Sequence, residues 1–281
     1  MMQDDFGDRM KGYEGLANPP LLSGVPTCAR LDGRGFHAFT KRATRPFSAS
    51  FHRMMVDVTR HLVVESCATV GYTQSDEISL AWLDHPFFDG NVQKICSTLA
   101  AMASVKLNAM NDGETSGLHW SRVPTFDCRV WVVPSPVEAA NVFLWRQQDA
   151  GRNSVQMAAR HHFSHKACDN LNGKQLQEKL FADVGVNWND YPPSFKRGTF
   201  VKHAKTRRAF TAEELAELPP MHDARKAPSL IVERRILVEC DLDLRGIADR
   251  APALFADTVE SETPTIGVPS VSPSPPERQP K

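Results

Sequence analysis

No excess of positive charge marks this chain as a general nucleic-acid binder: Lys plus Arg and Asp plus Glu each number 33 in 281 residues. Any contact with a polyanion must therefore come from local patches. A disulfide or zinc framework is also missing. The six cysteines (Cys28, Cys67, Cys96, Cys128, Cys168 and Cys240) include no CxxC pair. Without a signal peptide, they read as reduced thiols of a cytoplasmic protein. No apolar run approaches the roughly 20 residues that a bilayer-spanning helix needs. What remains is an ordinary globular composition, 41% apolar and 23% charged, long enough for one large or two small domains.

Periodicity divides the chain into four stretches. Residues 1–24 are polar and read as a loose arm. Val25–Leu31 is a short apolar strand running into the turn-like Asp32-Gly33-Arg34-Gly35. Phe47, Phe51, Met54, Met55, Val58 and Leu62 recur on one helical face from Pro46 to about Cys67. Short strands follow around 69–72 and 78–83, then a helix over 93–110 and a strand over 126–133. The order β-α-β-β-α-β predicts an α+β, ferredoxin-like sheet for residues 25–135. Residues 136–256 read as helices and a basic strand packed on it. A capping box at Thr211 opens a short helix and a strand fits 229–243. From 257 to 281 the Pro/Ser-rich sequence predicts a disordered tail.

In this topology the first and third strands are antiparallel neighbours, so Asp32, ending one, lies beside Asp76, starting the other. Two convergent aspartates can hold two magnesium ions, hard cations that take oxygen ligands and are completed by substrate phosphates.

Longer strings sharpen that expectation. Arg30-Leu31-Asp32-Gly33-Arg34-Gly35-Phe36-His37-Ala38-Phe39, Tyr72-Thr73-Gln74-Ser75-Asp76-Glu77-Ile78-Ser79, Phe126-Asp127-Cys128-Arg129-Val130, Leu144-Trp145-Arg146-Gln147-Gln148-Asp149 and Lys196-Arg197-Gly198-Thr199 stand in the order of five blocks of the tRNA-histidine guanylyltransferase family. The chain resembles that family over about residues 25–203. The resemblance implies a polymerase-like palm, with Asp32, Gly33 (through its carbonyl) and Asp76 as metal ligands and Glu77 as a supporting catalytic carboxylate. Gly33, Arg34, Gly35, Phe36 and His37, with Ser75 and Lys41, would surround an incoming nucleotide. Lys94, Arg129, Lys196 and Arg197 would meet a second triphosphate or the RNA 5′ end. Asn153, His161, His165, Lys202 and Lys205 are weaker candidates for RNA contact. Arg146 reads as a salt-bridge residue as readily as a ligand.

The resemblance further implies two Mg2+ ions, ATP and GTP or other NTPs as substrates, a tRNA partner and a homotetramer. Gly151-Arg152-Asn153-Ser154 replaces the HINN string of the eukaryotic branch, and the 161–166 and 187–192 stretches resemble the bacterial and archaeal guanylyltransferase-like branch. The expected activity is therefore template-dependent 3′-to-5′ addition at a truncated tRNA 5′ end. Dedicated G addition to histidine tRNA, a palm-fold nucleotidyl cyclase and a non-catalytic RNA-binding protein are the alternatives.

Overall fold

A computed structural model describes residues 5–84, 87–110, 123–227 and 229–260. In chain order its elements are α1 (Asp5–Leu16), β1 (Thr27–Arg34), α2 (Phe36–Phe39), α3 (Ala49–Glu65), β2 (Val70–Gln74), β3 (Glu77–Trp82), α4 (Val92–Ala109), β4 (Thr125–Val132) and α5 (Pro136–His162). There follow α6 (His165–Cys168), α7 (Gly173–Val184), α8 (Pro193–Arg197), β5 (Thr199–Ala209), α9 (Ala212–Glu217), α10 (Asp223–Lys226), β6 (Ile231–Cys240), α11 (Arg250–Phe255) and β7 (Thr258–Glu260). The described residues fall into two compact units, one drawn from 1–203 with 237–257, the other from 204–236 with 258–281.

In the first unit an antiparallel sheet runs β4-β1-β3-β2, with Thr199–Lys202 of β5 beside β2. The alternation along each strand decides what covers it. Ala29, Leu31, Ile78, Leu80 and Phe126 turn to the face where α3 and α4 supply Met55, Val58, Leu62, Ile95, Leu99 and Leu107. Cys28, Tyr72, Ala81 and Phe200 turn to the other face, against Ala139, Ala140 and Phe143 of α5. The C-terminal half of α5 packs with α7 and α8 through Val155, Ala158, Leu176, Leu180 and Phe195. In the second unit β5 continues between β6 and a parallel β7.

Several elements depart from the sequence expectation. Residues 5–16, inside the stretch expected to be loose, form a helix without a buried side chain. Asp32-Gly33-Arg34 is strand rather than turn, because partners on both sides, Glu77 and Asp127 for Asp32, hold it extended. Ser48, accepting a hydrogen bond from the Phe51 N–H at 3.3 Å, caps α3, so Pro46 lies before the helix and does not open it. Helix α5 runs through Gly151 without a break, its 27 residues continuous. The Lys196-Arg197 pair ends a short helix, α8, instead of starting the basic strand. The predicted tail begins with β7 at 258–260; residues 261–281 lie outside the described residues. The Thr211 capping box is present as expected.

Candidate functional site

The register of β1 puts Asp32 directly opposite Glu77 on β3 and Asp127 on β4. Directly opposed residues share a face, so three carboxylates form one row at the end of the sheet, on the side covered by α5. Two residues further along, Arg30, Arg129 and Ser79 form a second row. An acidic rank thus borders a cationic one.

Asp76 reaches this row from the two-residue turn joining β2 to β3. The Gly33 N–H donates to the Asp76 carbonyl at 3.1 Å, tying the turn to the end of β1. Ser75 sits at φ 54°, a left-handed conformation usually left to glycine in such turns. Its hydroxyl, which glycine would lack, favours the charged form of the neighbouring Asp76 carboxyl. Burial pushes the Asp76 carboxyl above its ordinary value and the charge of Asp32 pushes the same way, opposed by its own backbone N–H and by Ser75. Two acids close enough to repel, one of them desolvated, suit a site completed by a cation. At Gly33 a side chain is excluded, since a Cβ would lie 2.4 Å from the Phe36 ring.

Glu77 is held differently. Arg146 grips both its oxygens, at 2.6 and 2.7 Å, and also reaches Asp149 at 2.5 Å. Arg30 stands 3.9 Å away on the other side. Burial still pushes the Glu77 carboxyl up, against the pull of Arg146. Asp127 stands 3.5 Å from Arg129, and one of its carboxylate oxygens is buried without a hydrogen-bond partner. Arg30 Nε is also buried and makes no hydrogen bond. Among the described residues, no three His, Cys, Asp or Glu side chains gather closely enough to hold a metal by themselves. A cation bound here would rest on the two aspartates, backbone oxygen and substrate, the sparse coordination that magnesium accepts.

Helix α5 walls the site. Asp32, Gln74, Ser75, Asp76 and Glu77 face Arg146, Asn153, Gln156, Met157 and Arg160 across one cleft. Beyond Ser75 a second, smaller cavity opens between Pro46, Phe47, Phe51, His52, Met157 and Phe195, with Arg45 and other residues of the 40–48 segment at its rim. His52 in its wall bonds the Thr199 hydroxyl at 2.9 Å, and burial pushes its imidazole down to about 4.

The expected site residues divide into groups. Asp32, Gly33, Ser75, Asp76 and Glu77 are brought together, Asn153 joins them from α5, and Arg129 flanks them on the same face. Arg34, Gly35, His37 and Lys41 are exposed around α2, with Gly35 at φ 69° just before it. The Phe36 ring is not available to a ligand: it is buried against Phe39, Phe51 and Phe126. Lys94 is not brought to the carboxylates. It lies in the first turn of α4, whereas Ser104, ten residues on and ~15 Å along the axis, accepts from Phe126 N–H at the site end of β4. Lys196 bonds the Asn189 carbonyl at 2.5 Å, and Arg197 pairs with Asp241 at 2.9 Å. Lys202 is buried, its ammonium donating to the Ala253 carbonyl at 2.7 Å, which takes it out of reach of RNA. Lys205, in the second unit, pairs with Glu233 at 3.0 Å. His161 and His165 are exposed at and beyond the end of α5.

Sequence reasoning missed Arg30, Asp127, Gln156 and Arg160. Period-two spacing from Asp32 and Arg129 carried the signal for the first two. Helical spacing from Arg146 and Asn153 carried it for the others.

Residues 7–134 match the sequence profile of the tRNAHis guanylyltransferase (Thg1) family. A bacterial tRNA(His) guanylyltransferase (Thg1)-like protein in complex with ATP superposes with a TM-score of 0.66 at 37% identity, over 70% of this chain and 88% of the other. Another structure of a bacterial Thg1-like protein, in complex with GTP, gives 0.62 at 32% identity, over 83% and 91%. Debaryomyces hansenii tRNA(His) guanylyltransferase is 27% identical over 199 residues, 64% of this chain and 74% of that enzyme.

Proposed function

The chain belongs to the tRNAHis guanylyltransferase family and is a nucleotidyltransferase, and from that premise we propose that it extends a truncated tRNA 5′ end in the 3′-to-5′ direction, using the opposite strand as template. The observation that carries the proposal is the convergence of Asp32 and Asp76 around the Gly33–Asp76 backbone bond. In this reading the β4-β1-β3-β2 sheet serves as a polymerase-like palm.

Asp32, Asp76 and the Gly33 carbonyl would hold magnesium, which when bound supplies charge neutralisation for a triphosphate and a lower pKa for an attacking hydroxyl. The exposed backbone around Gly35 would wrap the phosphates, where the glycine has no Cβ to keep them away. The neighbouring cavity, lined by Phe47, Phe51, His52 and Phe195, would offer its aromatic side chains to the base. Arg30 and Arg129, side by side across β1 and β4, would receive the phosphate at the RNA 5′ end. Glu77 and Arg146 would keep the end of β3 rigid beneath the reacting groups.

A 5′-monophosphate end would first react with ATP, joining AMP to the RNA and releasing pyrophosphate. The 3′-hydroxyl of the next NTP would then attack the 5′ phosphorus, forming the new phosphodiester as AMP leaves. A 5′-triphosphate end would release pyrophosphate directly. The side chains contribute positioning and charge neutralisation, the main sources of rate in phosphoryl transfer. The sequence resemblance extends the proposal to a cytoplasmic homotetramer, which light scattering after gel filtration would test. Among the described residues no helix is long and apolar enough to cross a membrane.

Two observations favour repair over dedicated G addition to histidine tRNA: the bacterial Thg1-like structures are more than 30% identical, and Gly151-Arg152-Asn153-Ser154 stands in place of HINN. The test is incubation with magnesium, all four NTPs and either a tRNA lacking its 5′ nucleotide or an intact histidine tRNA. Extension of the first that stops at full pairing, and disappears in Asp32→Ala, is the expected result. Extension of the second alone, by a single G, would replace repair with guanylylation. A cyclic nucleotide product without RNA extension would point to a cyclase.

A further inference from the structure

Met157 lines three adjoining cavities: the carboxylate cleft, the aromatic pocket beyond Ser75, and a third bounded by Arg45, Pro46, Arg160 and His161. The cleft therefore has two exits at Met157, and they differ in chemistry. Aromatic and aliphatic side chains dominate one. The other has no acidic residue in its lining and two guanidiniums.

Arg160 is the distinctive group. The other arginines along the cleft side of α5 are consumed: Arg146 by Glu77 and Asp149, Arg152 by Asp149. Arg160, one helical face further on and exposed, borders both the cleft and the basic exit. Among the described residues no hydrogen bond or ion pair holds its guanidinium. Among the described residues Arg45 donates only to the Thr40 carbonyl, at 3.1 Å, and its charge too has no counter-ion there. Part of the cationic character of this exit complements the C-terminal dipole of α5, whose last turn carries Arg160, His161 and His162. That accounts for a positive charge near the helix end. It does not account for Arg45, which lies on a different segment and lines this exit as well as the rim of the aromatic pocket.

The geometry points to the Arg45–Arg160 exit as the path of the RNA strand, its two guanidiniums holding backbone phosphates while the aromatic exit takes the base of the incoming nucleotide. A polynucleotide fits better than a second free nucleotide. The two cations line an open pocket that shares Met157 and Arg160 with the cleft, and an extended strand offers phosphates at intervals where a triphosphate offers one compact cluster. Arg160 would thus be an RNA-positioning residue outside the reacting centre. The inference rests on the 5′-end extension reading, yet its test needs no catalysis.

Binding of a 5′-phosphorylated RNA hairpin lacking its 5′ nucleotide is measured by fluorescence anisotropy without NTP, across a range of salt concentrations. Arg160→Ala and Arg45→Ala are each expected to weaken binding roughly tenfold at low salt and to lower the log–log salt slope by about one. Arg160→Lys should keep the slope. Lys174→Ala, which removes an exposed charge on α7, should change neither quantity. In Arg160→Ala, ATP and GTP binding, titrated without RNA, should stay as in the unaltered protein. The inference is overturned if Arg160→Ala weakens nucleotide binding and leaves RNA affinity intact, since the exit would then serve a triphosphate. It is also overturned if only the thermal midpoint falls, since Arg160 would then serve the helix dipole alone. Loss of 5′ extension in the unaltered protein would sink the functional reading by itself and leave the RNA-binding comparison readable.

Discussion

The carboxylate cleft and the basic run from Lys196 to Arg208 are opposites in how they treat charge. In the run, the cations have partners: Lys196 the Asn189 carbonyl, Arg197 Asp241, Lys202 the Ala253 carbonyl, Lys205 and Arg207 Glu233, Arg208 Glu214. Among the described residues of the cleft, Asp32 has no cation within ion-pair distance, Asp76 stands half-buried beside it, and Arg160 is unpaired. A dense cluster of one sign in sequence marked the region whose charge the fold neutralises. The sparse residues marked the region where charge is left available to a ligand. Availability of charge, not its local density, separates a candidate site from a solvated strand.

The comparison is tested most strongly at Asp76. Asp76→Asn should reduce nucleotide addition on the order of 10³-fold or more while raising the thermal midpoint at pH 7. The sign follows from its raised value. The folded state holds the carboxyl proton more tightly than the unfolded chain, so ionisation at neutral pH costs stability, and the amide removes that cost. A variant that lost both activity and stability would place Asp76 with the structural charges.

Next comes Glu77 with Arg146, a neutralised pair inside the cleft, whose side chains are only 16% and 11% exposed. Arg146→Ala should cost about 3–5 kcal/mol in urea unfolding, because it strands a buried carboxylate. Glu77→Gln combined with Arg146→Met should recover part of that stability without restoring activity. Full recovery of activity would show that the pair does not position the site.

His52 extends the test to the aromatic cavity. Its ring stays neutral in the fold down to about 4, held there first by burial and then by the charge of Arg53, with Glu239 opposing. The unfolded chain protonates near 6.5. Stability contributed by the neutral ring is therefore present above 6.5 and lost as pH falls toward 4. Between pH 7 and 5 the loss should be about 2 kcal/mol, and His52→Gln should flatten that part of the urea-unfolding profile. An unchanged slope would remove His52 from the buried wall.

The smallest effect belongs to the basic run. Lys205→Ala removes a half-exposed ion pair with Glu233 and should change stability by less than about 1 kcal/mol, leaving RNA affinity and its salt slope as they were. A lower slope would restore this segment as an RNA contact.

How far the sequence could be read follows the range of the forces involved. Helix faces, strand alternation and the Thr211 capping box depend on neighbours within a few residues. They are legible, as is the pairing of the first and third strands that follows from the order of elements. Asp32 and Asp76 could be joined on that basis. Their strings, with the other three blocks, also sufficed to identify the family. Alternation even implies that Arg30 and Asp127 share a face with Asp32, although nothing local says that the face belongs to a site.

The availability of each charge was a tertiary matter. Lys202 and Lys205 are three residues apart and look alike in sequence. One is buried against a carbonyl of α11, and the other is half exposed beside Glu233, because partners 28 to 51 residues away decide their surroundings. The fate of Arg146 and Arg160, two arginines on one helix, was settled likewise by what lies opposite each: Glu77 for the first, open pockets for the second. Sequence determined which residue types stand in each element and how the strands are ordered. The fold decided which of their charges remain unsatisfied, since desolvation and ion pairing depend on distances in space that no local pattern encodes.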